Sequence, residues 1–122
     1  MDLYKNWLRS NGIKFEDIPI GISFKYQGCN FLIADPGRDS QFLSVSLPGI
    51  DSVDGNELQV LKACNKVTGE TKVLKVVLHG DSVWAHVEIF IDNTPDIEDF
   101  MDRVLDLLME GRQRYYIALR GL

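Results

Sequence analysis

The sequence predicts a single α+β domain in which helices pack on one face of an antiparallel β-sheet of about five strands. The spacing of apolar residues changes along the chain from three and four to two and back again, with turn residues at each change. Strands that follow one another through short turns pair antiparallel. The predicted order is therefore α-β-β-β-α-β-β-α, with residues 1–122 forming one domain.

The first helix is predicted at the N-terminus, where apolar residues recur at helical spacing. They are Leu3, Tyr4, Trp7 and Leu8. Asn11 and Gly12 follow as a typical helix end, because both residues tolerate left-handed backbone. A helix this short needs a docking partner to persist.

A three-stranded meander is predicted next, after a connecting segment through Pro19. Strands are expected at 22–26, 29–34 and 42–47, where apolar and polar residues alternate. A two-residue turn at Gln27 and Gly28 would place Phe24 opposite Phe31 and Ile22 opposite Ile33. The segment 47–52 breaks the pattern and is predicted to end the third strand.

The second helix is predicted to begin at Asp54, because Asp54 and Glu57 have the spacing of a capping box. Its end is expected at Thr68 and Gly69. Its buried side is expected to contain Leu58, Leu61, Cys64 and Asn65.

A second hairpin and a long last helix complete the prediction. The hairpin joins strands at 71–78 and 82–91 through Gly80 and Asp81. The register predicted from this turn pairs Leu74 with Val87, Val76 with Ala85 and Leu78 with Val83 on the inner face. The helix is expected from Pro95-Asp96 to about Leu119, with an apolar stripe formed by Ile97, Phe100, Met101, Val104, Leu105 and Leu108.

Composition narrows the function classes. A net charge of -5 and a pI near 4.9 argue against nucleic-acid and anionic-membrane partners, which favour clustered Lys and Arg. The N-terminus lacks the pattern of a signal peptide, and no segment is long and apolar enough to span a membrane. Two cysteines, Cys29 and Cys64, do not make a disulfide framework. We therefore expect a cytoplasmic protein.

No catalytic, metal or cofactor site is predicted from motifs. His79 and His86 do not have the spacing of metal-ligating pairs, and we expect solvated or edge-of-core histidines. The acidic residues between Asp92 and Glu110 complement a helix dipole, because Arg residues follow them toward the C-terminus. They lack the glycine and loop pattern of a calcium site.

The outer face of the second hairpin is the predicted binding surface. The same turn places Val77 opposite Trp84, Lys75 opposite His86 and Val73 opposite Glu88, with Phe90 further along. Apolar anchors with a polar rim are typical of an interface centre. The predicted partner-binding residues are Val73, Lys75, Val77, Trp84, His86, Glu88 and Phe90. In the alternative interpretation, the first helix or the segment around Phe15 and Ile18 covers this face.

The chain resembles the YbjN family, whose fold is similar to that of type III secretion chaperones, the Tir chaperone-like fold. The resemblance covers nearly the whole chain. It rests on the short first helix with Trp7, the segments 26–31, 62–66, 71–75 and 84–88, and a last helix ending in Tyr115-Tyr116. Asn65 matches the family's most recognisable position, and a structural role at the helix end is expected for it.

The resemblance implies a cytoplasmic, non-enzymatic bacterial protein that is often dimeric and, in its chaperone members, binds other polypeptides. It supplies no catalytic residues. We expect a protein-binding module that forms a homodimer through the second helix and the outer face of the second hairpin. The alternatives are a small enzyme or ligand-binding protein with a pocket lined by His86, Glu88 or Asp99, and a signalling regulator acting through a partner.

Overall fold

The computed structural model describes residues 1–92 and 96–121, and it contains three helices and one six-stranded sheet. The elements are α1 (Asp2–Ser10), β1 (Phe15–Ile18), β2 (Gly21–Tyr26), β3 (Cys29–Ala34), β4 (Phe42–Ser52), α2 (Glu57–Glu70), β5 (Leu74–His79), β6 (Ser82–Phe90) and α3 (Ile97–Leu119). Pro95, where the last helix was expected to begin, lies outside the described residues. The α+β class is confirmed.

The sheet has six antiparallel strands in the order β1-β2-β3-β4-β6-β5, one more than predicted. The additional strand is β1, in the segment interpreted as a connection. It is short, with two acidic residues at its centre, so its alternation is weak in the sequence. Its pairing with β2 places Phe15 opposite Phe24 and makes β1 one edge of the sheet.

The predicted strand registers are confirmed in both hairpins. Phe24 pairs with Phe31 and Ile22 with Ile33 in the first. In the second, the inner pairs and the outer pairs Val77–Trp84 and Lys75–His86 lie as expected. The pairing of Val73 with Glu88 is wrong: β5 begins at Leu74, and Val73 has a positive φ of 72° that turns the chain out of the strand.

Strand β4 is longer than predicted, because pairing resumes after an irregularity. The register with β6 shifts between Leu47 and Asp51, and then Asp51 pairs with Val83. Gly49 lies inside this shift with a φ of 63°, a conformation that disfavours other residues. The break predicted at 47–52 is therefore a bulge within the strand rather than its end.

The helix α3 carries most of the apolar stripe that its sequence predicts. Ile97, Met101, Val104, Leu105 and Leu108 are buried, whereas Phe100 is only half-buried. The helix continues the same face through Gly111 and Tyr115. Helix α1 buries Tyr4, Trp7 and Leu8 and packs next to α3. Both helices therefore contribute to one core on the inner side of the sheet.

The buried face of α2 differs from the prediction. Val60, Ala63, Cys64 and Val67 are buried, whereas Leu58 is 67% and Leu61 45% exposed. The sequence carries two overlapping apolar stripes, and packing against α3 and β5 selects the one with smaller residues.

The ends of α2 also differ from the prediction. The helix begins at Glu57 with Asn56 as its N-cap, so Asp54 does not cap it. Asn65 lies within the helix, with an exposed side chain, so its predicted role at the helix end is wrong.

Candidate functional site

The strongest candidate site is on the face of the sheet opposite the helices. Alternation along β5 and β6 turns one set of their side chains away from the core. We call this set the hairpin face: Lys75, Val77, His79, Ser82, Trp84, His86, Glu88 and Phe90. The pairing of β6 with β4 adds Ser44, Ser46 and Phe42 beside it.

The elements expected to cover the hairpin face lie elsewhere. Helix α1 packs next to α3, which contacts the inner side of β4, β5 and β6. Phe15 and Ile18 belong to β1, the strand at the opposite edge of the sheet from β5. The alternative interpretation, in which one of these elements shields Trp84, is therefore wrong.

The predicted partner-binding residues differ in accessibility. Lys75 is exposed, whereas Val77, Trp84 and Glu88 are half-buried. Phe90 is 83% exposed and its ring contacts that of Phe42 edge-on, with centroids 6.1 Å apart. These five side chains share the hairpin face.

The other two predicted residues behave differently. His86 is only 8% exposed although its strand face carries no helical layer. Val73 is exposed, but it precedes β5 and lines a groove beside α3 instead of the hairpin face. The structure therefore does not place Val73 with the other predicted residues.

Three polar side chains form a hydrogen-bonded chain across β4, β6 and β5. Ser46 Oγ lies 2.7 Å from His86 Nδ1, and His86 Nε2 lies 2.8 Å from His79 Nε2. The imidazole centroids are 5.0 Å apart, which is the nitrogen–nitrogen distance plus about two ring radii. The two Nε2 atoms therefore point at each other, the arrangement of a shared proton.

This geometry favours a proton over a metal ion between the histidines. A metal ion between nitrogens that point at each other needs them about 4 Å apart, because each metal–nitrogen bond is about 2.0 Å. Among the described residues, no group of three or more His, Cys, Asp and Glu side chains converges as a metal site.

The hydrogen-bonded series Ser46–His86–His79 is unsuited to nucleophilic catalysis. Ser46 is 2% exposed, so a substrate cannot reach its hydroxyl oxygen without opening the sheet. The hydroxyl also contacts His86 Nδ1, while the other ring nitrogen is directed at His79. The arrangement orients the two rings and links a buried imidazole to an exposed one.

Burial sets the protonation of His86. Desolvation lowers the pKa of His86, the neighbouring His79 lowers it further, and Glu88 opposes both effects. His86 therefore remains neutral at physiological pH and can donate from one ring nitrogen while accepting at the other.

Aromatic rings and one ion pair surround the two histidines. The Trp84 ring lies 4.7 Å from His79 and 5.8 Å from His86 between centroids, and its indole N–H donates to Ser82 Oγ at 3.0 Å. Lys75 and Glu88 form a salt bridge on the same face. The hairpin face thus has an aromatic centre with charged groups beside it.

Asp99 does not share a site with His86 and Glu88. Asp99 lies on α3, on the inner side of the sheet, while His86 and Glu88 face outward. A groove of about 560 Å³ with a largely apolar lining lies between α3 and the start of β5, and neither His86 nor Glu88 lines it.

A second polar cluster, at the bulge of β4, has a structural role. Tyr115 donates its hydroxyl to Asp51 Oδ2 at 2.7 Å, and Tyr116 donates to the carbonyl oxygen of Ile50 at 2.6 Å. Burial raises the pKa of Tyr115, and burial raises the pKa of Cys64 to about 11. Tyr115 and Cys64 therefore stay protonated at neutral pH, and the hydroxyls of Tyr115 and Tyr116 tie α3 to β4.

Sequence reasoning missed the contact between the two histidines. It expected solvated or edge-of-core histidines and no contact between them. The signal was present in the register: His79 and His86 both face outward when Gly80 and Asp81 form the turn. The participation of Ser46 requires the pairing of β4 with β6, which no local pattern specifies.

Comparisons with known proteins identify the fold. YbjN from E. coli, described as a proposed transcription regulator, superposes over 98% of this chain and 91% of its own, with a TM-score of 0.69 and 12% identity. An uncharacterised protein from Methanothermobacter thermautotrophicus gives 0.71 at 12% identity, covering 98% of this chain and 96% of its own. The chain therefore has a YbjN-like fold.

No family model matches the sequence, and no curated protein matches it. Within the described ranges, no helix combines the length and apolar composition needed to cross a bilayer.

Proposed function

We propose that the protein is a non-enzymatic binding module that contacts another polypeptide through its hairpin face. The observation that carries the proposal is the placement of Trp84, Val77 and Phe90 on a sheet face opposite all three helices. Tryptophan and other large apolar residues beside polar groups are typical of the energetic centre of protein interfaces. The YbjN-like fold supports the same class of function, because it resembles the fold of chaperones that bind polypeptides. The same resemblance supports a cytoplasmic location.

The proposed first partner is a second copy of this chain, in a twofold homodimer. A twofold interface needs only one self-complementary patch, and a stable one buries about 1,200 to 2,000 Å² in total. Lys75 and Glu88 pair with each other within the chain, so a twofold contact does not need them to pair across the axis. The exposed residues Leu58 and Leu61 of α2 lie in the helical layer, so a dimer centred on the hairpin face does not need them.

A signalling or regulatory role through a protein contact is the second candidate. It is favoured by the description of YbjN as a proposed transcription regulator. The net charge of -5 disfavours direct contact with DNA, so such a role would operate through the same polypeptide-binding face.

Sedimentation equilibrium tests the homodimer. We expect wild type to be a dimer that Trp84→Glu dissociates into folded monomers, and Leu58→Glu, a charge placed on the exposed side of α2, to remain dimeric. Dissociation by Leu58→Glu alone would move the interface to α2. A wild-type monomer that Trp84→Glu unfolds would contradict the homodimer and assign Trp84 to the core.

Site-specific photocrosslinking in the native cell tests polypeptide binding by the same face. A photoreactive residue replacing Val77 is expected to form a discrete protein adduct, whereas one replacing Ile20, exposed at the β1–β2 turn, is the matched control. Equal adducts from both positions, or none from Val77, would contradict the proposed face.

A further inference from the structure

Two basic side chains of the protein, Lys5 and Arg112, are half-buried, and the other Lys and Arg residues are exposed. Lys5 pairs with Asp17 at 2.8 Å, the usual arrangement for a cation withdrawn from water. Arg112 differs, because no carboxylate among the described residues forms an ion pair with it. A charge withdrawn from water without a partner costs free energy, so the surroundings of Arg112 favour the binding of an anion.

Uncharged contacts hold the guanidinium of Arg112 in place. Its Nε–H donates to the hydroxyl oxygen of Tyr116 at 3.1 Å, and its Cζ lies 5.2 Å from the centroid of the Tyr116 ring. Tyr116 in turn donates to the carbonyl oxygen of Ile50 at 2.6 Å. The two Nη atoms have no hydrogen-bond partner within the described part of the chain. The cation is therefore fixed in position, while most of its N–H donors remain available to a ligand.

Arg112 lines a small cavity between α3, the β2–β3 turn and the bulge of β4, which we call the bulge cavity. Its volume is about 160 Å³ and its lining is mostly polar. The turn contributes Gly28, Cys29 and Asn30, and the bulge contributes residues 47–50. Among the described residues of the lining, Arg112 is the one charged side chain. The wall of the cavity therefore has a net positive charge.

The bulge cavity lies where β4 leaves the regular ladder. Residues 48–50 have no partner in the register with β6, in which Leu47 pairs with Ala85 and the next pair is Asp51 with Val83. The left-handed backbone of Gly49 is part of this irregularity. The displaced main chain of β4 forms one wall of the cavity, and α3 places Arg112 and Tyr116 on another.

Charge separates the bulge cavity from the larger groove between α2 and α3. That groove is lined by two basic residues, Lys66 and Arg114, and by two acidic ones, Glu70 and Glu110. Each base already has a partner: Lys66 pairs with Glu70 and Arg114 with Glu110, both at 2.9 Å. Those cations are neutralised within the chain, so the groove has no excess charge to attract an anion.

Size and shape favour a tetrahedral oxyanion as the ligand. The volume of about 160 Å³ equals that of about five water molecules, which is room for a phosphate group together with part of its hydration shell. Walls from α3, the turn and the bulge surround the space on different sides. The oxygens of a phosphate group point in several directions and can meet several walls, whereas the two oxygens of a carboxylate lie in one plane. Arginine binds phosphate through paired N–H groups.

We propose that the bulge cavity binds a phosphate group, either free or carried by a small molecule, with Arg112 as the residue that holds its charge. Tyr116 is a positioning residue, because its hydroxyl and ring orient the guanidinium. The bulge cavity shares no residue with the hairpin face. The proposal therefore does not depend on polypeptide binding or on the homodimer.

Titration of the full chain with inorganic phosphate, followed by NMR of the backbone amides, is the first test. We expect the amides of Gly28, Cys29 and Ile50 to shift and to saturate with a Kd below about 5 mM at low ionic strength, because one charged contact gives a modest affinity that salt screens. Shifts that do not saturate, or saturating shifts confined to other parts of the chain, would overturn the proposal.

Substitution of Arg112 tests which residue holds the anion. Arg112→Gln is expected to weaken phosphate binding at least tenfold, whereas Arg114→Gln, an exposed position two residues further on, should leave the Kd within twofold. Arg112→Lys keeps the charge but loses the planar fork, and should weaken binding at least threefold even if Arg112→Gln does not fold. Undiminished affinity in Arg112→Lys, or in a folded Arg112→Gln, would overturn the proposal.

Competing anions at equal ionic strength test the chemical class of the ligand. We expect sulfate to displace phosphate, and acetate to displace it at least fivefold less well. Equal competition by acetate would overturn the assignment of a tetrahedral anion. Methyl phosphate distinguishes the two sources of the phosphate group: competition within threefold of inorganic phosphate supports a phosphate monoester, and loss of competition supports free phosphate.

Trp84→Glu separates the bulge cavity from the hairpin face. This variant should bind inorganic phosphate with a Kd within twofold of wild type, because Trp84 does not line the cavity. Loss of phosphate binding in a folded Trp84→Glu, together with unchanged binding in Arg112→Gln, would move the anion to the hairpin face and overturn the proposal.

Discussion

The two faces of β5 and β6 are built from the same strands but are buried in different ways. On the inner face, Val76, Ala85 and Val87 lie under helices and are at most 2% exposed. On the outer face, Ser46 and His86 reach nearly the same burial through neighbouring side chains of the sheet itself. Burial alone therefore does not identify the core, because Ser46 and His86 are buried on the outer face, which has no helical layer.

The largest expected effect is on the inner face. Leu105 is fully buried in α3, and Leu105→Ala is expected to lower the free energy of unfolding by about 2 to 5 kcal/mol, because it removes buried methyl groups and leaves a cavity. Urea denaturation measures the change. Val77→Ala on the outer face should cost under about 1 kcal/mol; an equal loss at both positions would remove the distinction between the faces.

A smaller effect is expected from the buried hydroxyl of the outer face. Ser46→Ala removes the partner of His86 Nδ1 and should cost about 1 to 2 kcal/mol, the range for leaving a buried polar group unsatisfied. Ser44→Ala, on the same strand face but only half-buried, is the control and should change stability by less than about 0.5 kcal/mol. Similar values for both variants would show that the Ser46 hydrogen bond adds no stability.

A change in pH should also distinguish the two faces, because both histidines lie on the outer face. The pKa of His86 is lowered in the folded protein by burial first and then by His79. The unfolded state therefore binds the proton more readily, so stability is complete above about pH 6.5 and falls as the pH drops toward the lowered value. Urea denaturation between pH 7.5 and pH 5 measures this slope.

His86→Gln is expected to reduce the slope over that pH range, because it removes the buried imidazole. An undiminished slope in His86→Gln would assign the pH dependence to other groups. Lys14→Gln, on the exposed segment before β1, is a control that should leave the slope unchanged.

The smallest effect is expected from the ion pair of the outer face. The side chains of Lys75 and Glu88 are 47% and 30% exposed. A double-mutant cycle with Lys75→Ala and Glu88→Ala should give a coupling energy of about 0.5 kcal/mol or less, since solvent and salt screen partly exposed pairs. A coupling above about 1.5 kcal/mol would show that the face is more desolvated than its exposure indicates.

Local patterns predicted most of the fold because they are set by near neighbours. The turn at Gly80 and Asp81 fixes the inner register of the second hairpin, and the stripe of α3 fixes its buried side. The strand β1 was missed because its alternation spans only four residues. The predicted buried face of α2 was wrong, because the helix carries two overlapping apolar stripes. Tertiary packing, rather than the size of the apolar residues, decides which of them is buried.

The candidate site was predictable only in part. Trp84, Val77 and Lys75 follow from the hairpin register, which a short turn specifies. The partner of His86 depends on β4, forty residues earlier in the chain. The end of the β5–β6 pairing at Leu74 depends on the positive φ of Val73, which no property of valine would predict.

The pairing of β4 with β6 has a consequence for how the chain folds. Phe42 pairs with Phe90 and Leu43 with Ile89, so these contacts close loops of more than forty residues, whereas β1 to β3 meet through short turns. Loop closure costs entropy before the contacts form. During synthesis, we expect β1 to β4 to assemble first, because β2, β3 and β4 each pair with the strand before them. The second edge of β4 can pair only after α2, β5 and β6 have left the ribosome. The joining of β6 to β4 then becomes the step that limits the folding rate.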